Sequence, residues 1–457
     1  MKPRQIILTC VLSILIFNIL SSIVLAEPAS NKIEQELFPR NNLVTKQTYV
    51  MFATVWSMFE KSASFTPNGQ SFGMGEPLAR LLTGMCYTWL ADYEITGDIK
   101  QVTRVNWLLS TITLPKYHKK YAYHWSSMWI SGSIAYMRLT ADDILTDETK
   151  KNIDNMLIAE CDMMVKVLDH IEEEPLALVD MKYWMSYGGH KDKVKKQRRI
   201  SLLGSTDNSW MSDTKAEETA GRARLLAICG NLYNRDDYIN AARLFASVTF
   251  AHKKDVFGVT ITNVSPDFTV YNHGYGPNYA YAVAALYGLA ETHFSFIVMN
   301  KPVPSECQYQ QYTNIYTQNV INVLMPDGCH VDLSLLRGNQ KNIEYEHRPD
   351  IKWLSGDTRY SLAVLPYDML INDISSCSMK KIVACLSNDL TWMPYSTELL
   401  LEQIDDGRSC LAVNHMIHNV EHYSQITYKW IVIQKMIQRE TLLNKLDGWL
   451  RKWITKY

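Results

Sequence analysis

Residues 215–252 read KAEETAGRARLLAICGNLYNRDDYINAARLFASVTFAH. Apolar side chains recur at three-and-four spacing over 215–233 and again over 236–252, which predicts two helices joined by a short loop. Thr214-Lys215-Ala216-Glu217 has the spacing of a capping box at the first helix start, and Gly230 falls near its end. The same periodicity runs through 43–61, 76–96, 99–111, 125–139, 148–171, 278–299 and 313–324. Gly97 falls near a helix end, and Thr146 and Asp147 lead into the helix from Glu148. From Asp350 onward the pattern stays mainly helical and closes on an amphipathic stretch over 423–457. Strand-like alternation is confined to 257–262 and 268–271, enough for a small ribbon. The expectation is an all-α chain with a small β-ribbon insertion.

Helices paired through loops build either a superhelical solenoid or a closed (α/α) toroid of helical hairpins. A solenoid needs self-similarity at a fixed short period, and none is visible. The toroid is therefore expected, as a single domain over 27–457, since no Ser/Gly linker or low-complexity segment cuts the chain. In such a ring the inner helices are buried on nearly all sides, and loops at one end line a cavity. The 12 Trp and 26 Tyr suit a cavity for sugars, whose pyranose faces stack on rings while phenols bond their rims.

Composition narrows the partners. With 46 Lys+Arg against 47 Asp+Glu the net charge is −1, so no global field favours nucleic acid or an anionic membrane. The basic run 191–199 (KDKVKKQRR) reads as a solvated loop. Residues 1–26 carry Lys2 and Arg4 ahead of an apolar run, then Val24-Leu25-Ala26 before Glu27-Pro28, the pattern of a cleaved signal peptide. An uncleaved anchor is the competing reading, against which Asn18, Ser21 and Ser22 interrupt the run. No later stretch is expected to span a membrane. The protein is expected to be exported, secreted or periplasmic.

Eight cysteines remain beyond the signal: Cys86, Cys161, Cys229, Cys307, Cys329, Cys377, Cys385 and Cys410. They form no CxxC and no zinc-spaced cluster, and read as buried apolar side chains, with Cys307 and Cys329 as a candidate bridge. His415, His418 and His422 share a helical face but lack a full ligand set, so no metal is expected. No phosphate-binding glycine loop, dinucleotide fingerprint, HExxH or serine elbow is present, so no cofactor is expected.

The residues that can carry chemistry lie between Asp207 and Tyr281. The segment PDFTVYNHGYGPNY (266–279) sets His273 in a Gly/Pro-punctuated loop ahead of a helix, with Asn272 beside it and Tyr275, Tyr279 and Tyr281 nearby. Histidine can act as a base near neutral pH, and a tyrosine of lowered pKa can exchange a proton. Such a loop can also be an aromatic turn whose polar groups satisfy backbone. Upstream, Asn208 and Trp210 in Ser205-Thr206-Asp207-Asn208-Ser209-Trp210 can present an amide and a ring to a ligand, though Asn208 equally fits a turn.

Asn208-Ser209-Trp210, the helix start Lys215-Ala216-Glu217-Glu218-Thr219-Ala220 and the 266–279 loop, in that order, resemble the helical toroid of heparinase-, chondroitin- and alginate-type polysaccharide lyases. The likeness covers roughly 206–289, and Pro326-Asp327-Gly328 is similar to the family's loops before inner helices. The resemblance implies β-elimination on a uronic-acid polysaccharide. Asn208 would neutralise the substrate carboxylate, His273 would be the base or its helper, and Tyr279 or Tyr281 would protonate the leaving oxygen. The spacing from His273 is slightly short, so Tyr275 is not distinguished from them. Arg337 or Arg348 would assist. The β-sandwich domains usual after such toroids have no counterpart here after Asp350, which leaves a minimal enzyme, a toroid with a different reaction, or an inactive relative. A toroidal glycoside hydrolase is the runner-up, with Asp207, Asp213, Glu218, Asp267, Glu344 and Glu346 as candidate acids. A non-catalytic glycan-binding or envelope protein is the third reading.

Overall fold

The computed structural model describes residues 76–114, 127–173, 203–204, 215–271 and 279–312, with individual positions at 314–315, 364–371 and 425–436. The signal segment, the helix expected over 43–61, the basic run 191–199, Pro326-Asp327-Gly328, the 415–422 histidine stripe and Cys329, Cys377, Cys385 and Cys410 lie outside the described residues.

The fold is mostly helical with a small antiparallel two-stranded insertion. In chain order the helices are α1 (Glu76–Thr96), α2 (Ile99–Ile112), α3 (Ser127–Thr140), α4 (Asp147–Glu173), α5 (Ala216–Tyr233), α6 (Asp236–Thr249) and α7 (Tyr279–Val298). Strands β1 (Lys254–Val256) and β2 (Val259–Ile261) follow α6, and two 3-10 turns, Ser305–Cys307 and Tyr309–Tyr312, follow α7. The ribbon pairs Lys254 with Ile261 and Val256 with Val259, so the alternating 268–271 stretch is not its second strand. It lies instead in an irregular segment organised by the Ser265 hydroxyl.

Local chemistry sets the helix ends. Gly97 takes φ +73° and donates to the Tyr93 carbonyl, closing α1, while the Asp98 side chain accepts from Lys100 N–H at 3.1 Å to start α2. Asn106 locks α2 to the start of α4: its amide donates to the Ile144 carbonyl, and its oxygen accepts from Thr146 N–H at 2.7 Å. Thr146 then caps α4 through the Thr149 N–H. Asn234, at φ 53°, ends α5 in the left-handed conformation that asparagine tolerates, and α6 begins two residues later. Thr214, on which the expected capping box turns, lies outside the described residues. Lys215 immediately precedes α5 and its ammonium bonds Glu218 of the first turn, and Glu217 is buried.

Helix α5 is the centre of the described structure. It packs against α3, α6 and α7, and apolar, small and charged side chains alike are buried on every side of it. Close approach depends on small residues: a Cβ on Gly288 of α7 would stand 3.0 Å from Ala220 backbone atoms of α5. The 281–298 stretch of α7 is long and apolar enough to cross a membrane, contrary to the expectation that nothing beyond the signal would qualify; 78% of it is buried, as suits a core helix. Cys86, Cys161, Cys229 and Cys307 are buried free thiols, so Cys307 does not form the bridge considered for it. Burial pushes the Cys307 thiol up to about 12.

Candidate functional site

Two stretches carry the residues singled out in the sequence, and a single buried side chain ties their described ends together. Asn263, fully buried after β2, donates its amide to the Leu203 carbonyl at 2.9 Å and the Val248 carbonyl at 2.8 Å. Its oxygen accepts from Lys215 N–H at 3.3 Å. The segment holding Asn208 and Trp210 thus opens and closes on Asn263. Gly204 makes the contact possible: its φ is +144°, and a Cβ there would fall 2.3 Å from the Asn263 amide atoms.

From Asn263 the chain runs into the second motif. Asn263 and Val264 both donate backbone N–H groups to the Ala251 carbonyl, and a His252 ring nitrogen lies 3.2 Å from the Val264 carbonyl. Ser265 then organises a tight turn. Its N–H donates to the Thr269 carbonyl at 3.0 Å, its carbonyl accepts from Phe268 N–H at 2.9 Å, and its hydroxyl accepts from Thr269 N–H at 2.9 Å. Asp267 accepts from the Ser265 hydroxyl and from Thr269 N–H. Partial burial raises the Asp267 carboxyl, but these bonds outweigh it and hold the group below its ordinary range. The turn delivers the chain to Tyr271, two residues before His273.

Of the expected site residues, Tyr281 lies half-buried on the first turn of α7, packed against the core, and Tyr279 is the first residue of that helix. Asn208, Trp210, Asn272, His273, Tyr275, Arg337 and Arg348 lie outside the described residues, as do Asp207, Asp213, Glu344 and Glu346. Glu218 is held between Lys215 at 3.1 Å and Arg222 at 2.9 Å. Burial would raise its carboxyl, yet the two cations press it down to about 2, which fixes it as a carboxylate rather than a proton donor.

The sequence reading missed a charged cluster in the core. Glu291 of α7 meets Arg224 of α5 in an ion pair and Lys429 at 2.7 Å, and it accepts from the Tyr367 hydroxyl at 2.6 Å. Lys429 also donates to Gln425 at 3.3 Å and sits 4.3 Å from the Tyr287 ring centroid; Tyr287 donates to Gln425 at 3.1 Å. Arg224 lies over Tyr287 and Trp129, with its Nη2 buried and without a hydrogen-bond partner. Burial raises Glu291 to about 7 against the pull of Arg224 and Tyr367; burial, then Arg224, drives Lys429 well below its ordinary value. One acid thus meets two bases in a dry interior, and burial disfavours the charged forms of Glu291 and Lys429 alike.

All three side chains are at most 1% exposed, so the cluster joins α5, α7 and the 425–436 segment and offers no surface to a polymer. Its sequence signal was present: Arg224 interrupts an Ala/Leu-rich run, and Glu291 interrupts an apolar helix. Among the described residues no group of three or more His, Cys, Asp or Glu side chains is placed to hold a metal ion. No protein-family model matches the chain, and comparison with curated proteins and with solved structures returns no match.

Proposed function

We propose that the protein is an exported polysaccharide lyase, built on an (α/α) toroid over 27–457, that cleaves a uronic-acid polysaccharide by β-elimination. The observation that carries this reading is the Asn263 junction. It anchors both ends of the segment bearing Asn208 and Trp210 at the root of the loop bearing His273. Two motifs separated by about fifty residues, which form α5, α6 and the ribbon, are worth pinning to one buried amide if their side chains act together. The all-round burial of α5 also supports it, since that is the environment of an inner toroid helix.

In the proposed reaction the C5 proton of the uronate is only weakly acidic, and its removal builds negative charge on the adjoining carboxylate. Asn208 donates to that carboxylate and lowers the energy of the developing enolate. His273 takes the proton or assists the tyrosine that does, and Tyr279, Tyr281 or Tyr275 protonates the leaving glycosidic oxygen. Trp210 and Asn272 hold the sugar ring, and Arg337 or Arg348 adds positive charge. The step needs neither cofactor nor metal in this scheme. The hydrolase alternative is weakened by Glu218 and Asp267, both held ionised and engaged in local bonds.

The test is incubation of the protein from Glu27 with alginate, heparan, chondroitin, hyaluronan and pectate, following the ultraviolet absorbance of the unsaturated uronate. The lyase reading expects turnover on one class, lost in His273→Ala with substrate binding retained. A folded protein that releases reducing ends without that absorbance would be a hydrolase, and one that binds without cleaving would be a glycan-binding protein.

A further inference from the structure

A second place on the molecule has the chemistry of a sugar site. Between α6, the β1 edge, the 265–269 turn and the 3-10 turns lies a groove of about 330 Å³, whose lining includes Ser247, Phe250, Lys254, Phe268, Glu306 and Tyr312. That volume sits at the small end of the ~300–1,000 Å³ range of small-molecule sites. Phe250 and Tyr312 meet edge to face, centroids 5.1 Å apart, and form an aromatic wall.

Phe268 is the unusual member. Its turn is cross-bonded and its neighbours Thr269 and Val270 are buried, yet the Phe268 ring is 40% exposed. Its φ is +68°, a conformation that a bulky residue adopts only under strain. Glycine or asparagine would fill the position without that strain. A rigid, strained turn that holds an aromatic ring out at the rim of a groove is the arrangement expected where the ring contacts a ligand.

The charges in the groove select the ligand. Glu306 is gripped by Arg243 through bonds of 3.1 and 2.8 Å, so its charge is already met. Lys254 makes one long hydrogen bond, 3.4 Å to the Ser247 carbonyl, and among the described residues it faces no carboxylate within ion-pair distance. The groove therefore offers a ring to stack on, hydroxyls, and an ammonium with donors to spare. A pyranose face fits the ring, and a carboxylate on that pyranose fits the ammonium.

We propose that this groove is a binding subsite for a uronate unit of an acidic glycan, stacked on Phe268 with its carboxylate on Lys254. Phe268 belongs to the same 266–279 stretch as His273 and stands five residues before it. The choice of uronate rests on the proposed function; the groove's preference for an acidic sugar rests on its own residues.

The test exploits an internal control, because Lys253 is exposed beside Lys254. The protein from Glu27 is treated with a water-soluble carbodiimide and a tetrasaccharide of hyaluronan, alginate or pectate, and lysine adducts are mapped by mass spectrometry. The carbodiimide activates the uronate carboxylate, the lysine amine displaces the urea, and an amide remains. Propionate replaces the sugar acid as the measure of intrinsic reactivity. Lys254 is expected to be labelled at least fivefold over Lys253 by one of the tetrasaccharides and not by propionate. In Phe268→Gly, which suits the turn's φ and should fold as the parent does, that excess disappears. In His273→Ala it persists. Equal labelling of Lys253 and Lys254, an excess also seen with propionate, or an excess that survives Phe268→Gly would each overturn the subsite. Polysaccharide turnover without the excess defeats the groove alone, and the excess without turnover defeats the lyase alone.

Discussion

Replacing Asn263 by alanine removes one side chain and three hydrogen bonds. The carbonyls of Leu203 and Val248 each lose the Asn263 amide as a donor, though Val248 keeps the Ala251 N–H, and the N–H of Lys215 loses the Asn263 oxygen. Asn263 has no exposed surface, so water does not readily replace what is lost. Each bond is worth about 0.5–1.5 kcal/mol, with the 3.3 Å bond at the low end, and the three together come to about 2–4 kcal/mol. In a chain of this size unfolding need not be two-state, so the effect is best read locally. Hydrogen exchange at the Lys215 amide should speed up by roughly a hundredfold, the factor that ~3 kcal/mol corresponds to. Asn263→Asp should be at least as damaging, because it sets a charge against two carbonyl oxygens in place of their donor. If Asn263→Ala leaves Lys215 exchange and thermal stability unchanged, the junction does not hold the two motif segments, and the argument for their joint action fails.

Further outcomes follow from the interior and its charges. Arg224→Met should destabilise the protein by about 3–5 kcal/mol in urea unfolding, because it breaks a buried pair with Glu291; an unchanged midpoint would refute that role. Glu218 is pressed from its ordinary 4.5 to about 2, so its contribution is complete above pH 4.5 and is lost as pH falls toward 2. The shift is worth about 3 kcal/mol, and Glu218→Gln should flatten stability across that window. Cys86, Cys161, Cys229 and Cys307 are buried, so an aqueous thiol reagent should label them only after denaturation, with no reductant needed. Rapid labelling of the native protein would show that the core around them opens.

What could be read from the sequence follows from what each pattern encodes. The periodic runs over 76–96 and 236–252 located α1 and α6 to within a few residues at each end, because burial of one face imposes its period on the chain. Helix α5 was found by its length and boundaries, but its all-round burial leaves no stripe to read. The second ribbon strand was misplaced: Phe268 and Val270 share the parity of one strand face, but the Ser265 turn sets Phe268 outward and buries Val270.

At the candidate site, the sequence supplied the residues with chemistry and was silent on what organises them. Asn263 and Gly204 carry no catalytic signature, and their partnership spans about sixty residues of chain. Likewise Glu291, Arg224 and Lys429 are remote in sequence, and only folding shows that their charges meet.

The central claim is elimination, and the mass of the products tests it most directly. Digestion of the preferred uronic-acid polysaccharide in oxygen-18 water, followed by mass spectrometry, separates the two ways a glycosidic bond can break. Elimination adds no water, so the account predicts unsaturated oligosaccharides without the heavy isotope at the cleaved bond, and none of them in His273→Ala. Products one water heavier that carry oxygen-18, or no product from any uronic-acid polymer, would contradict it.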